Sequence, residues 1–146
     1  MALRNPRARY DFELLETFEA GLVLTGSEVK ALRSGGGSIT EAFARFSNDE
    51  IFLEGMHIPE YTQASYNNHP PLRSRKLLLR KDQIQRIRKG IQRQGLTMVP
   101  IQVSFRNGWA KVKVALARGR KKYDKRERDA KRDAQSQIDR AIKGLR

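Results

Sequence analysis

The chain has 146 residues and a formal net charge of +14 at neutral pH. This length is enough for one domain with a single hydrophobic core. It contains no cysteine, so disulfides and thiolate metal sites are excluded. Every apolar run is shorter than the roughly 20 residues of a membrane-spanning helix, and the first residues lack the apolar stretch of a secretory signal. We therefore expect a soluble, cytoplasmic protein that binds no membrane.

The first predicted element is a long β-strand over residues 10–24. Apolar residues alternate with others from Tyr10 to Leu14, as in a strand with one buried face. The alternation changes phase at Leu15 and again at Gly21. These changes indicate a bulge or bend in the strand.

A short helix and a hairpin are predicted next. Ser27 is a suitable N-cap for the helix, and Gly35-Gly36-Gly37 ends it. The three glycines look like a phosphate-binding loop, but no Lys-Ser/Thr pair follows them and they end a helix instead of opening one. A helix stop is therefore the better interpretation. Residues 42–46 and 51–56 form the hairpin candidate.

The second half of the chain predicts a loop, a basic helix and a second hairpin. Residues 63–74, with two consecutive prolines, predict an irregular loop. Residues 81–94 place isoleucines on one helix face, with Gly95 as C-cap. Within residues 98–118, two alternating runs flank Asn107-Gly108, which suits a type I′ turn. Five or six antiparallel strands with few helices predict a mainly β fold, a small barrel like the oligonucleotide-binding fold.

The positive charge is concentrated in two segments. Residues 117–146 carry twelve Lys or Arg and five Asp or Glu. Residues 73–93 carry nine Lys or Arg and one Asp. Their net charges are therefore +7 and +8, which leaves −1 for the rest of the chain. Such clustering is typical of nucleic-acid binders. It predicts a barrel domain over residues 1–118 and a basic tail over residues 119–146, which is too polar to be ordered alone and becomes helical on a partner.

No residue set for catalysis is visible in the sequence. His57 and His69 are the only histidines, and a lone histidine near a strand end is more often structural than catalytic. The chain has no paired-histidine helix motif, zinc-ligand spacing or acidic metal cluster. We therefore expect a protein that is not an enzyme and uses no metal or cofactor.

Several strings resemble the signature blocks of the SmpB family of bacterial tmRNA-binding proteins. They are residues 18–21 (FEAG), 26–33 (GSEVKALR), 57–61 (HIPEY), 73–79 (RSRKLLL), 95–100 (GLTMVP) and 119–126 (GRKKYDKR). The blocks keep their family order and cover nearly the whole chain. Three positions depart from the pattern. Pro6 stands where the family usually has a basic residue, Pro70 where it usually has Asp, and Arg80 where it usually has His or Asn.

The resemblance implies a monomeric oligonucleotide-binding barrel that holds the tRNA-like domain of tmRNA and carries it into stalled ribosomes for trans-translation. The residues that it assigns to tmRNA are Glu19, Lys30, Arg33, Arg73, Arg75, Lys76, Leu78 and Arg80. The tail would enter the decoding centre and sense the empty mRNA channel. Its implied ribosome contacts are Gly119, Lys121, Lys122, Tyr123, Asp124, Lys125, Arg126, Ile138 and Ile142. The alternative from composition is a structural RNA binder of the ribosomal-protein kind, built into a ribonucleoprotein particle.

Overall fold

The computed structural model describes residues 2–61 and 68–120, which form seven strands and three helices. In chain order these are β1 (Ala2–Arg4), α1 (Ala8–Asp11), β2 (Phe12–Leu22), α2 (Gly26–Arg33), β3 (Phe43–Ser47), β4 (Glu50–Glu54), β5 (Arg75–Leu78), α3 (Lys81–Gln94), β6 (Thr97–Arg106) and β7 (Trp109–Gly119). All the strands join one antiparallel sheet in the order β1-β6-β7-β2-β5-β4-β3. The mainly β fold class is therefore confirmed.

The sheet curves until its last strand, β3, contacts β6. Among the described strands, however, no hydrogen-bonded pairing joins β3 to β6 or to β1. The free edge of β6 is instead paired with the short strand β1, where Leu3 lies opposite Val103. A closed barrel is therefore not confirmed, although the curvature brings the two ends of the sheet together.

The second hairpin and the basic helix match their predictions closely. The turn between β6 and β7 has positive φ at both Asn107 (53°) and Gly108 (80°), as a type I′ turn requires. Helix α3 has the predicted bounds, and Gly95 closes it in the left-handed conformation with φ of 64°. The predicted bulge is also present, because the register of β2 against β7 shifts between Leu14 and Glu16.

Three local predictions were wrong. Tyr10 lies in the short helix α1, so the long strand begins at Phe12. Thr25, not Ser27, is the N-cap of α2, because Thr25 has the extended backbone of a cap (φ −80°, ψ 166°) while Ser27 is already inside the helix. Strands β1 and β5 were not predicted, because each has only three or four residues and an arginine at one end interrupts the alternation of apolar and polar side chains.

The core lies inside the curved sheet, where α2 and α3 cover it. Its largest fully buried apolar side chains include Leu32, Ile39, Ile51, Leu53, Met56, Ile58, Ile87, Met98, Val103 and Val112. Removing such side chains from water is the main stabilising contribution to a fold of this size. Within the described ranges, no helix is long and apolar enough to cross a membrane.

Candidate nucleic-acid interface

The side of the sheet that points away from the core carries a row of polar and basic side chains. Strand alternation places them together, since Leu78 lies opposite Gly21 and Glu19 lies opposite Lys113. The row continues to β6, where Lys113 lies opposite Gln102. We call this surface the outer face; it comprises Thr17, Glu19, Gly21, Lys76, Leu78, Gln102, Ser104, Lys111 and Lys113.

A groove of about 390 Å³ crosses the outer face. Glu19 is its only carboxylate, and Oε1 of Glu19 lies 3.3 Å from Nη1 of Arg106. Lys111 and Lys113 also line the groove, and neither forms an ion pair with any residue in the described ranges. The groove therefore has three cations and one carboxylate, and two of the cations form no ion pair in the described ranges, which suits an anionic ligand such as a phosphate backbone.

Arg80 lies at the edge of this groove. A second groove, of about 410 Å³, contains Arg80 and shares Thr17 and Phe18 with the first. The Arg80 side chain is exposed, and its Nε lies 3.2 Å from Oδ1 of Asp82. Its hydrogen bond lowers the pKa of the Asp82 carboxyl below the usual range. The structure thus brings Arg80 next to the surface that carries Glu19.

Leu78 supplies an apolar patch on the same surface. This residue is 53% exposed, although its strand lies between β2 and β4 in the sheet. It lies across Gly21, where an added Cβ would come within 3.2 Å of Leu78 Cβ. A glycine at this position therefore leaves room for Leu78 to lie against the neighbouring strand. An exposed leucine held in this way can contact the apolar face of a base or ribose.

Lys30 and Arg33 lie on the exposed side of α2. Nζ of Lys30 is 5.9 Å from the centre of the Tyr61 ring, and Cζ of Arg33 is 5.3 Å from that of Phe105. These cation–π contacts orient the two cations without neutralising them. Neither residue lines the groove of the outer face, so they form a separate basic patch on the helix that follows β2.

Arg73 and Arg75 belong to a buried cluster around Glu28. The Glu28 and Arg75 side chains have no exposed surface, and that of Arg73 is 33% exposed. Arg75 donates from Nε to Glu28 Oε2, and Arg73 donates from Nη2 to Glu28 Oε1 over 2.6 Å. A direct RNA contact by Arg75, predicted from the sequence, does not fit this geometry, because a ligand cannot reach a fully buried guanidinium.

The cluster keeps its charges at neutral pH. Burial by itself raises the pKa of Glu28. Hydrogen bonds from Arg73, the Thr25 amide and Arg75 outweigh that effect and hold the pKa of Glu28 at about 2. Burial lowers the pKa of Arg75 from its ordinary value, and the hydrogen bond to Glu28 opposes that change. Opposite charges at hydrogen-bonding distance are what stabilise ionised groups away from water.

His69 lies beside this cluster, and its contacts are those of a histidine with a structural role. It is 4% exposed, with Nδ1 2.9 Å from Oγ of Ser27 and Nε2 3.0 Å from the Ile58 carbonyl oxygen. Both ring nitrogens are therefore engaged. In the part of the chain that the structure describes, no three His, Asp or Glu side chains are grouped so as to hold a metal ion.

The structure also adds residues that the sequence did not single out. Lys111, Lys113 and Arg106 line the main groove, and Trp109 near Arg106 is 72% exposed at the hairpin tip. The alternation within the second hairpin already placed both lysines on its polar face and could have identified them. Of the predicted ribosome contacts, Gly119 ends β7, and all the others lie outside the described residues.

The chain is similar to one well-defined group of proteins. A family model described as SmpB protein matches residues 2–144. The SsrA-binding protein of Salinispora tropica is 53% identical over 137 residues, which is 94% of this chain and 86% of that protein. That of Agrobacterium fabrum is 51% identical over 141 residues, which is 96% of this chain and 88% of that protein. A solved structure described as "tmRNA-SmpB: a journey to the center of the bacterial ribosome" matches with a TM-score of 0.69 and 48% identity, over 83% of this chain and 85% of that one.

Proposed function

This chain belongs to the SmpB family, and we propose that it binds the tRNA-like domain of tmRNA and delivers it to stalled ribosomes for trans-translation. The observation that carries the proposal is the groove on the outer face, where Lys111 and Lys113 form no ion pair with any residue in the described ranges. The names of the relatives, SsrA-binding proteins, support it, and so does the description of the similar solved structure, which names tmRNA and the bacterial ribosome.

The outer face has the mixed chemistry that structured RNA requires. Proteins recognise folded RNA through its shape, phosphates, 2′-hydroxyls and unstacked loop bases. Lys111 and Lys113 are placed to contact phosphates, and Leu78 offers an apolar surface to a base or ribose. A carboxylate is repelled by phosphate, so on an RNA-binding face Glu19 needs a donor, which is a base amino group, a 2′-hydroxyl or a neighbouring arginine. Arg106 already contacts Oε1 of Glu19, and we assign the remaining acceptor capacity of the carboxylate to an RNA donor.

The flanks of the outer face extend the proposed contact area. Arg80 lies at the edge of the groove. Its exposed guanidinium can contact a phosphate or a base edge while it remains paired with Asp82. Lys30 and Arg33 on α2 form the second patch. Lys76 is paired with Glu50 over 3.3 Å between two half-exposed side chains, a weak interaction in water that a phosphate can replace. Arg75 acts from the interior and makes no direct contact.

The tail is proposed to act on the ribosome. Its first residue, Gly119, ends β7, and the Arg120 amide donates to the Asp11 carbonyl oxygen over 2.9 Å. This hydrogen bond holds the start of the tail against α1. We propose that rRNA phosphates neutralise its basic residues, that Tyr123 stacks on an rRNA base, and that Ile138 and Ile142 share one helical face.

The test of the proposed RNA ligand is to identify the RNA that co-purifies with the tagged full-length protein. Recovery of tmRNA in a near-stoichiometric amount is expected. Stoichiometric rRNA without tmRNA would favour a structural ribosomal-protein role, and turnover of the bound RNA would point to an enzyme. Purification at two salt concentrations distinguishes specific from non-specific RNA, because electrostatic binding alone falls steeply with salt.

The division of labour between body and tail has its own test. A chain ending at Arg118 is expected to fold and bind tmRNA, because the groove and the basic patch of α2 are retained, but to fail in peptide tagging of stalled chains. Within the full chain, Ile142→Pro removes on the order of 3 kcal/mol of helix stability without changing the charge and should have the same phenotype. Normal tagging by the proline variant would show that the tail acts only as a flexible basic segment.

A further inference from the structure

We infer that Glu28 and Arg75 are positioning residues: their buried ion pair holds α2 and β5 in the arrangement that presents the exposed RNA-binding side chains of both elements. The inference rests on the proposed function, because it assigns the two residues a role in the same RNA-binding surface. It replaces the direct RNA contact that the sequence predicted for Arg75.

Glu28 connects three segments of the chain. In the first turn of α2 it completes a capping box, since its Oε1 accepts from the Thr25 amide over 2.8 Å. The same carboxylate accepts from Arg73 and Arg75, which lie 45 and 47 residues further along the chain. Glu28 therefore fixes the start of α2, and with it the direction of Lys30 and Arg33, relative to β5.

Arg75 extends this connection to two loops. Its Nη1 donates to the Met56 carbonyl oxygen over 2.6 Å, and its Nη2 donates to the Pro71 carbonyl oxygen over 3.2 Å. With Nε on Glu28, all three guanidinium nitrogens have a partner. Only arginine carries several N–H donors in a rigid planar fork. A lysine would keep the charge but could not occupy the three positions together.

The ion pair also determines the register of β5. This strand is short and is held by two paired positions on β2 and three on β4. Arg75 and Leu77 point inward, while Lys76 and Leu78 point outward. A slip of one residue would exchange the two faces, placing Lys76 or Ser74 at Glu28 and exposing Leu77. The inward arginine therefore ensures that Lys76 and Leu78 reach the outer face.

A buried charge pair is a costly way to obtain stability alone. Desolvation offsets much of its attraction, and apolar residues of similar volume often stabilise a fold as well or better. The best-attested advantage of such a pair is that it selects one register or arrangement. Here it selects the arrangement of the two elements that carry Lys30, Arg33, Lys76 and Leu78.

The test is the full-length Arg75→Lys variant, because it retains the net charge and every exposed cation of the protein. We expect its affinity for tmRNA to fall about tenfold, while the slope of log affinity against log salt stays within error of the unmodified chain. A positioning residue changes how well the contacts fit, whereas loss of a phosphate contact lowers the magnitude of that slope by roughly 1.

Two further variants calibrate the measurement. Lys76→Ala is expected to reduce the slope, because it removes an exposed cation from the outer face. Arg93→Lys, on the exposed side of α3, is the matched Arg-to-Lys control and should change neither affinity nor slope. All variants are compared at a temperature at which circular dichroism shows them fully folded.

Two results would overturn the inference. Unchanged affinity in folded Arg75→Lys would show that the cluster is merely structural. A reduced slope in the folded double variant Glu28→Gln/Arg75→Met, which removes both charges of the pair and keeps the net charge, would show that Arg75 itself contacts RNA. If Arg75→Lys does not fold, Arg73→Lys provides the same test, because Arg73 donates to both Glu28 oxygens and is partly exposed. The expected result for Arg73→Lys is a threefold loss of affinity for tmRNA with an unchanged slope. Failure of the unmodified chain to bind tmRNA would instead reject the proposed function.

Discussion

The buried cluster and the outer face use the same charged residue types for opposite purposes. Around Glu28, two arginines direct their hydrogen bonds to the protein itself, and the fully buried Arg75 has no surface left for a ligand. On the outer face, Lys111 and Lys113 have no ion pair with any residue in the described ranges. The same charge is thus structural in one place and available to a ligand in the other.

The difference follows from solvent access. A buried charge must have its partners within the fold, because water cannot replace them. An exposed charge is stabilised by water and counterions, which a phosphate backbone can displace. Loss of a cluster residue should therefore affect stability first, and loss of an outer-face residue should affect RNA binding first. Four predictions test that division, from the largest expected effect to the smallest.

Glu28→Ala is expected to have the largest effect. It leaves a buried guanidinium without its counter-charge and removes the capping box of α2, which should lower the free energy of unfolding by about 3–5 kcal/mol. The measurement is urea denaturation followed by circular dichroism. Glu50→Ala removes a half-exposed partner of Lys76 and serves as the control, with an expected loss of about 0–1 kcal/mol. Equal losses in both variants would remove the distinction between the two regions.

The cluster should also make the fold sensitive to acid. The folded-state pKa of Glu28, about 2, lies below its ordinary value of 4.5. The carboxylate therefore contributes stability that is complete above pH 4.5 and is lost as the pH falls towards 2, by about 3 kcal/mol in all. Urea denaturation at several pH values between 6 and 2.5 measures this loss.

Glu28→Gln is the control for the acid prediction, because the amide does not titrate and should remove most of the pH dependence. A smaller dependence should remain from Glu54, whose pKa is lowered by its hydrogen bond with Ser74 and by Arg45, and from Asp82, whose pKa is lowered by its hydrogen bond with Arg80. An unchanged pH profile in the Gln variant would mean that other carboxylates dominate acid unfolding.

Glu19→Ala tests the outer face through the sign of its effect. If Glu19 accepts a hydrogen bond from RNA, the variant leaves an RNA donor unpaired and weakens tmRNA binding by about 1–3 kcal/mol. If Glu19 only pairs with Arg106 at the surface, its removal releases a cation into the groove and should tighten binding slightly. Filter binding at two salt concentrations decides between the two, with circular dichroism as the check on folding.

Lys113→Ala is expected to have the smallest effect. The salt dependence of tmRNA affinity should weaken by roughly 1 in log-log slope, with little change in stability, because the side chain has no protein partner to lose in the described ranges. Lys89→Ala on α3 is a control of equal charge change outside the groove. The same slope change in both variants would mean that RNA senses only the net charge and not the groove.

Sequence patterns alone predicted the elements that depend on local chemistry. The Asn107-Gly108 turn, the bounds of α3 and the bulge near Leu15 follow from backbone preferences and hydrophobic periodicity, which act over a few residues. Specific strings predicted the family, and most predicted tmRNA residues lie on the outer face, beside it or on α2. The alternation of the second hairpin likewise assigns Lys111 and Lys113 to its polar side, because successive residues of a strand point to opposite faces.

Only the tertiary structure separated Arg73 and Arg75 from the other basic residues of the same segment. In the sequence they are one run of positive charge with Lys76 and Arg80, and nothing local distinguishes an inward arginine from an outward one. The difference is decided by Glu28, which lies 47 residues before Arg75 and meets it only when α2 packs beside β5. Burial and long-range pairing depend on how distant segments come together, and a sequence pattern of short range does not contain that information.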